Sequence, residues 1–75
     1  MKHKREFEYG KVIDYDGHDG TIRGLDGIDY ILKKSDIAEK EKIQVEDYVI
    51  FDKEIIHNID IKDIPIARFV KKIKK

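Results

Sequence analysis

The sequence predicts an all-β domain, a small five-stranded Greek-key barrel with a short helical crossover between its third and fourth strands. Three observations carry that expectation. Fourteen isoleucines, many alternating with polar residues, favour a pleated, half-buried backbone, and only one proline and one methionine interrupt it. Clusters of glycine and aspartate, GHDG at 17–20 and DG at 26–27, fall between apolar runs as turns do. A charged stretch of different character, KKSDIAEKEK at 33–42, separates the first three runs from the last two.

Taken in order, the first strand is expected from Phe7 to Tyr15 and the second from Gly20 to Leu25, joined by the Gly and Asp cluster. Within the first, Val12 and Asp14 fall on one face and Ile13 and Tyr15 on the other, so a bulge or a partly exposed apolar residue is required. Asp26-Gly27 marks a tight turn, and a third strand from Asp29 to Lys33 completes a meander. Alternation there turns Tyr30 and Leu32 inward and leaves Ile31 and Lys33 outward. In the crossover, Ser35 or Asp36 can cap, and Asp36 with Glu39 has capping-box spacing, which predicts one or two exposed helical turns. The fourth strand is expected from Asp47 to Ile56, with Val49 and Phe51 on one face and Tyr48 and Ile50 on the other. Beyond it Ile59 alternates with Ile61, the pattern slips by one residue, and it resumes at Ile64 and Ile66. A turn or bulge near Lys62-Asp63 follows, before a last strand ending near Ile73. A closed barrel pairs every edge, although an open five-stranded sheet satisfies the same pattern.

Seventy-five residues provide for one core, hence a single domain over 1–75 with short basic tails. The zero net charge conceals an asymmetry. Lys2, Lys4 and Arg5 at one end and Lys71, Lys72, Lys74 and Lys75 at the other are seven positive charges. Residues 6–70 hold nine Lys and Arg against sixteen Asp and Glu, leaving an acidic body at minus seven. Such tails either solubilise a mobile end or touch phosphate backbones. Without cysteine there is no disulfide framework or thiolate metal site, and without a long apolar run in MKHKREFEYG or elsewhere neither a signal peptide nor a spanning helix is expected. A soluble, monomeric protein of the reducing cytoplasm, with no membrane partner, is the expectation.

With the strand order in place, the chain from Gly10 to Ile73 resembles the cold-shock domain, an oligonucleotide-binding (OB) barrel of nearly this length. GKVIDYD is similar to the family's Gly-x-Val-Lys-Trp-Phe-Asn, and IDYILKKSDI to its Asp-Val-Phe-Val-His-Phe-Ser-Ala-Ile. QVEDYVIFD resembles Glu-Gly-Asp-x-Val-x-Phe-Glu, with Glu46 where a glycine is usual, and IPIARFVKKI resembles the family's closing strand. IDYILKKSDI is also similar to an RNA-binding repeat of a large ribosomal protein, which leaves the functional class unchanged. The resemblance implies binding of single-stranded RNA or DNA, in which bases stack on aromatic rings of strands 1 to 3, each ring worth roughly 1–3 kcal/mol.

This chain departs from the family on that face. The family's tryptophan falls on Asp14, the two aromatics of its second strand on Asp19 and Thr21, and the Phe-x-His-Phe set on Ile31, Lys33 and Lys34. Tyr15 alone keeps a ring in a family position, with His18 close by. Losing even four of these platforms at about 1 kcal/mol each removes about three decades of affinity. What remains is weak, salt-dependent phosphate binding, RNA before DNA, by Lys11, Tyr15, His18, Arg23, Ile31, Lys33 and Lys34. The alternative is a non-catalytic module that gave this face, with an apolar patch of Ile13, Tyr15 and Ile31, to a protein partner.

Other chemistry finds little footing. DYDGHDG at 14–20 has the composition of a calcium loop, but its fifth and twelfth positions would be His18 and Leu25, and turn geometry accounts for its aspartates and glycines. His3, His18 and His57 lack metal-ligand spacing. The one serine, Ser35, has no histidine near it in sequence, and no phosphate-cradling glycine loop is present. No catalytic residue, metal or cofactor is expected.

Overall fold

Strands form where the apolar alternation lies. In the computed structural model, which describes residues 6–38, 41–57 and 62–73, these are β1 (Phe7–Tyr15), β2 (Asp19–Gly24), β3 (Asp29–Lys33), β4 (Tyr48–Ile56) and β5 (Ile64–Lys72). They close into a barrel in the order β1-β2-β3-β5-β4, which settles the choice between barrel and open sheet. β3 and β5 are parallel, with Ile31 opposite Ile66, and all other neighbours are antiparallel. A parallel bridge between Ile37 and Val70 extends the closing seam.

Each strand sends alternate residues inside. Val12, Ile22, Tyr30, Leu32, Val49, Phe51, Ala67 and Val70 are essentially inaccessible, and Ile43, from the segment before β4, joins them. Tyr30 and Phe51 meet edge to face, with ring centroids 4.9 Å apart. The buried ring keeps its hydroxyl satisfied by donating to Asp26 Oδ2 at 2.6 Å. Tyr30 and Leu32 point inward and Ile31 and Lys33 outward, as alternation required.

Both early turns are held by an aspartate. Asp16 Oδ1 accepts from the backbone N–H groups of His18 and Asp19, each at 2.8 Å, around Gly17 at φ +100°. Asp26 Oδ1 accepts from the Ile28 N–H at 3.0 Å, around Gly27 at φ +83°. The conflict in β1 is resolved by a bulge: the register with β2 shifts between Val12 and Asp14. The extra residue, Ile13, lets Val12 and Tyr15 both turn toward the core while Asp14 stays exposed.

The crossover is shorter in helix than expected. Among the described residues it holds one 3-10 turn, Lys34–Asp36, with no side-chain cap, and Ile37 is already extended at φ −88°, ψ 136°. Ile37 is drawn into the bridge with Val70, so the backbone is claimed by the closing seam before a helical turn can propagate. Glu39, the partner in the expected capping box, and the alternating Ile59 and Ile61 lie outside the described residues.

Candidate nucleic-acid interface

Register places the expected binding residues in rows across the outer face of β1, β2 and β3. Lys11, Arg23 and Asp29 form one row, Asp14, Thr21 and Ile31 the next, and Asp19 and Lys33 the last. Four residues of β2 separate the first row from the last, about 13 Å at strand rise. The three rows carry Lys11, Arg23 and Lys33 against Asp14, Asp19 and Asp29, so the face is balanced in charge rather than basic.

Two of its cations are already engaged. Arg23 Nε donates to Asp29 Oδ1 at 3.0 Å, and Lys11 Nζ lies 2.9 Å from Glu46 Oε2. Hydrogen bonding to these carboxylates, followed by their charge, raises both basic pKa values further. Each pair is exposed, so a phosphate can compete for the cation only by displacing a partner.

Tyr15 sits elsewhere. It pairs with Gly20, on the parity of Leu32, and packs half-buried against the core, where burial and then the charges of Asp16 and Asp19 raise its pKa. It therefore does not share a surface with exposed Ile31, and Ile13 is half-buried, so the apolar patch expected from these three residues does not form.

The structure gathers a different set at the end of the sheet. Lys34 donates its backbone N–H to the His18 carbonyl at 2.9 Å, which holds the β1–β2 turn against the start of the crossover. Lys34, Lys42 and Tyr15 line one shallow depression together with Glu41, and Lys33 and His18 are exposed nearby. Among the described residues Lys33, Lys34 and Lys42 make no ion pair. Lys42 was not foreseen from the sequence, where it is one of several charges in a charged stretch, and only folding of the crossover sets it beside Tyr15.

Metal chemistry gains no support from the β1–β2 turn. Asp16 spends a carboxylate oxygen on the turn's own N–H groups, and those two bonds, Asp19 first, hold its pKa below the usual carboxylate value. Among the described residues no three His, Asp or Glu side chains converge as a metal would need, and no helix is long and apolar enough to cross a membrane. Comparison of the chain with family models, curated proteins and solved structures found no match.

Proposed function

We propose that this domain is a non-catalytic Greek-key OB-type barrel that binds single-stranded nucleic acid weakly, RNA before DNA, mainly through phosphate contacts, in a reducing cytoplasm. The observation that carries the reading is the group of exposed ammonium groups, Lys33, Lys34 and Lys42, which make no ion pair among the described residues, at the end of β3 and in the crossover of a closed barrel. Lysine without a competing carboxylate releases condensed counterions most readily when it meets a phosphate. The strand order β1-β2-β3-β5-β4 agrees with the cold-shock resemblance, in which the outer face of the first three strands meets the ligand. With Asp14, Asp19 and Thr21 in place of rings, that face supplies little stacking, and affinity depends on salt.

A labelled single-stranded pyrimidine oligonucleotide, titrated by fluorescence anisotropy at two salt concentrations, tests the reading. Three phosphate contacts give a slope of log K against log salt of about −2, and a Lys33→Ala, Lys34→Ala double variant reduces its magnitude by about 1.4. An RNA oligonucleotide binds more tightly than its DNA counterpart if the 2′-hydroxyl is contacted. Absence of binding by the wild type at low salt overturns the proposal.

A further inference from the structure

The chain has seven aromatic rings, and folding divides them unequally. Tyr30 and Phe51 are in the core with Tyr15 packed against it. The other four, Phe7, Tyr9, Tyr48 and Phe69, are exposed by 60%, 50%, 53% and 64%, and all lie on the adjacent strands β1, β4 and β5.

Register arranges them on the outward face. Tyr9 pairs with Ile50 and Lys11 with Tyr48, so Tyr9 and Tyr48 are diagonal neighbours, about 7–8 Å apart. Together with Leu25 and Ile73 they line a shallow depression, whose edge carries Glu46 and Asp47 beside Lys72, the latter two 3.5 Å apart as an ion pair. Phe7 and Phe69 line an adjoining one with Ile50, Asp52 and Lys71. Phe69 reaches this face through an unusual backbone. Its register with β4 slips between Ile50 and Asp52, so that Phe69 and Val70 together oppose Phe51, and Phe69 takes φ +51°. Simple alternation from buried Ala67 would turn Phe69 into the barrel, whereas the extra residue turns Phe69 out and Val70 in. A bulky side chain rarely adopts that backbone conformation, and here the result is display of a ring to solvent.

Cations stand among the rings. Lys11 Nζ is 5.8 Å from the Tyr48 ring centroid while it pairs with Glu46, and Lys71 is exposed without an ion pair among the described residues. The sequence adds Lys2, Lys4 and Arg5 just before Phe7, and Lys74 and Lys75 just after Ile73. Aromatic platforms flanked by positive charge are the chemistry that recognises single-stranded nucleic acid without regard to sequence, because every base offers a π-face. A second copy of the chain fits less well. A two-fold contact through this face would bring Lys71 of one molecule and Lys71 of the other into the same interface.

We propose that the outer face of β5, β4 and β1 is a base-stacking platform for single-stranded nucleic acid, separate from the phosphate-contacting lysines at the end of β3. The proposal rests on the functional reading above and adds a second contact surface to it. Bases stack on Tyr9 and Tyr48 and on Phe7 and Phe69, while Lys71 meets the backbone.

The test is anisotropy with a labelled single-stranded oligouridine at two salt concentrations, using a Tyr9→Leu, Tyr48→Leu double variant, Phe69→Gly, and the Lys33→Ala, Lys34→Ala variant. Leucine keeps apolar bulk on the strands, and glycine suits the left-handed backbone at Phe69, so both variants remain folded in thermal melts. The tyrosine pair weakens binding about 25-fold and Phe69→Gly about fivefold, with the salt slope unchanged. The lysine variant changes the slope instead. Wild-type protein that fails to bind at low salt overturns the functional reading and this proposal together. Wild-type binding that survives both aromatic variants overturns the platform and leaves the functional reading standing. A dimer in sedimentation that Phe69→Gly converts to monomers, with unchanged oligouridine affinity, assigns the face to a second copy and overturns the platform as well.

Discussion

Glu46 holds a backbone φ of +83° in the turn that leads into β4, a conformation natural to glycine and costly for a residue with a Cβ. Its compensation is an ion pair with Lys11, exposed on both sides and therefore weak. Glu46→Gly is expected to raise stability by about 1 kcal/mol in urea unfolding, and a loss of stability would mean that the pair outweighs the strain. The sequence carried a trace of this, since the cold-shock resemblance sets a glycine at the same place. Tyr30 and Asp26 make the opposite kind of contact, a short hydrogen bond at the edge of the core. Burial raises the Asp26 pKa, but the bonds from Tyr30 and the Ile28 N–H and the charge of Lys53 outweigh it, and the carboxyl ends below its ordinary 3.8. A folded-state value lower than the unfolded one stabilises the protein above 3.8 and ceases to do so as pH falls through the folded value. Tyr30→Phe therefore costs about 1.5–3 kcal/mol at neutral pH, and the difference from wild type narrows in acid. Equal losses at pH 7 and well below 3.8 would show that the charged form of Asp26 is not the acceptor. For Tyr30 itself, burial first and Asp26 second raise the pKa, so its contribution is complete below pH 10 and lost as the pH climbs beyond it.

At the scale of elements, the two bulges decide which side chains are available for binding. The β1 bulge brings the backbone so close to β2 that a Cβ on Gly20 would overlap the Asp14 carbonyl oxygen and approach the Tyr15 Cα at 2.9 Å. Both obstacles are backbone, so Gly20→Ala costs about 2 kcal/mol or more, read as a lowered urea midpoint, while wild-type stability in that variant would place the bulge elsewhere. The β1 bulge was legible in the sequence as a clash of periods between Val12 and Tyr15, and the turns at Asp16-Gly17 and Asp26-Gly27 were legible from their chemistry. The β5 bulge was not. Phe69 and Val70 are adjacent apolar residues in ARFV and nothing local says which of them faces out; only pairing with β4 reveals that Phe69 is the extra residue. The helical crossover was overread for a related reason: capping spacing is local, but Ile37 answers to Val70, 33 positions away. Arg68 shows the same long-range logic, reaching Asp36 and Glu54 at 3.1 Å each and so tying the 3-10 turn to β5 and β4.

For the whole molecule, barrel closure explains why the candidate site was only partly readable. Ile31 and Lys33 were placed outside by alternation alone, and they are outside. That Arg23 is occupied by Asp29 and Lys11 by Glu46 depends on register and on a loop from another part of the chain. That four exposed rings gather on one side depends on β4 lying between β1 and β5, which no local pattern encodes. The resulting molecule has two candidate contact surfaces, exposed lysines at the end of β3 and an aromatic face on β5, β4 and β1, held apart by the barrel itself. Amide chemical-shift mapping with a single-stranded pyrimidine RNA at low salt tests this most directly, because it reads every backbone position at once. The account predicts perturbations concentrated at His18, Lys33, Lys34 and Lys42 and at Tyr9, Tyr48, Phe69 and Lys71, fading as salt is added. No perturbation at low salt, or perturbations confined to the remaining surface, would contradict it.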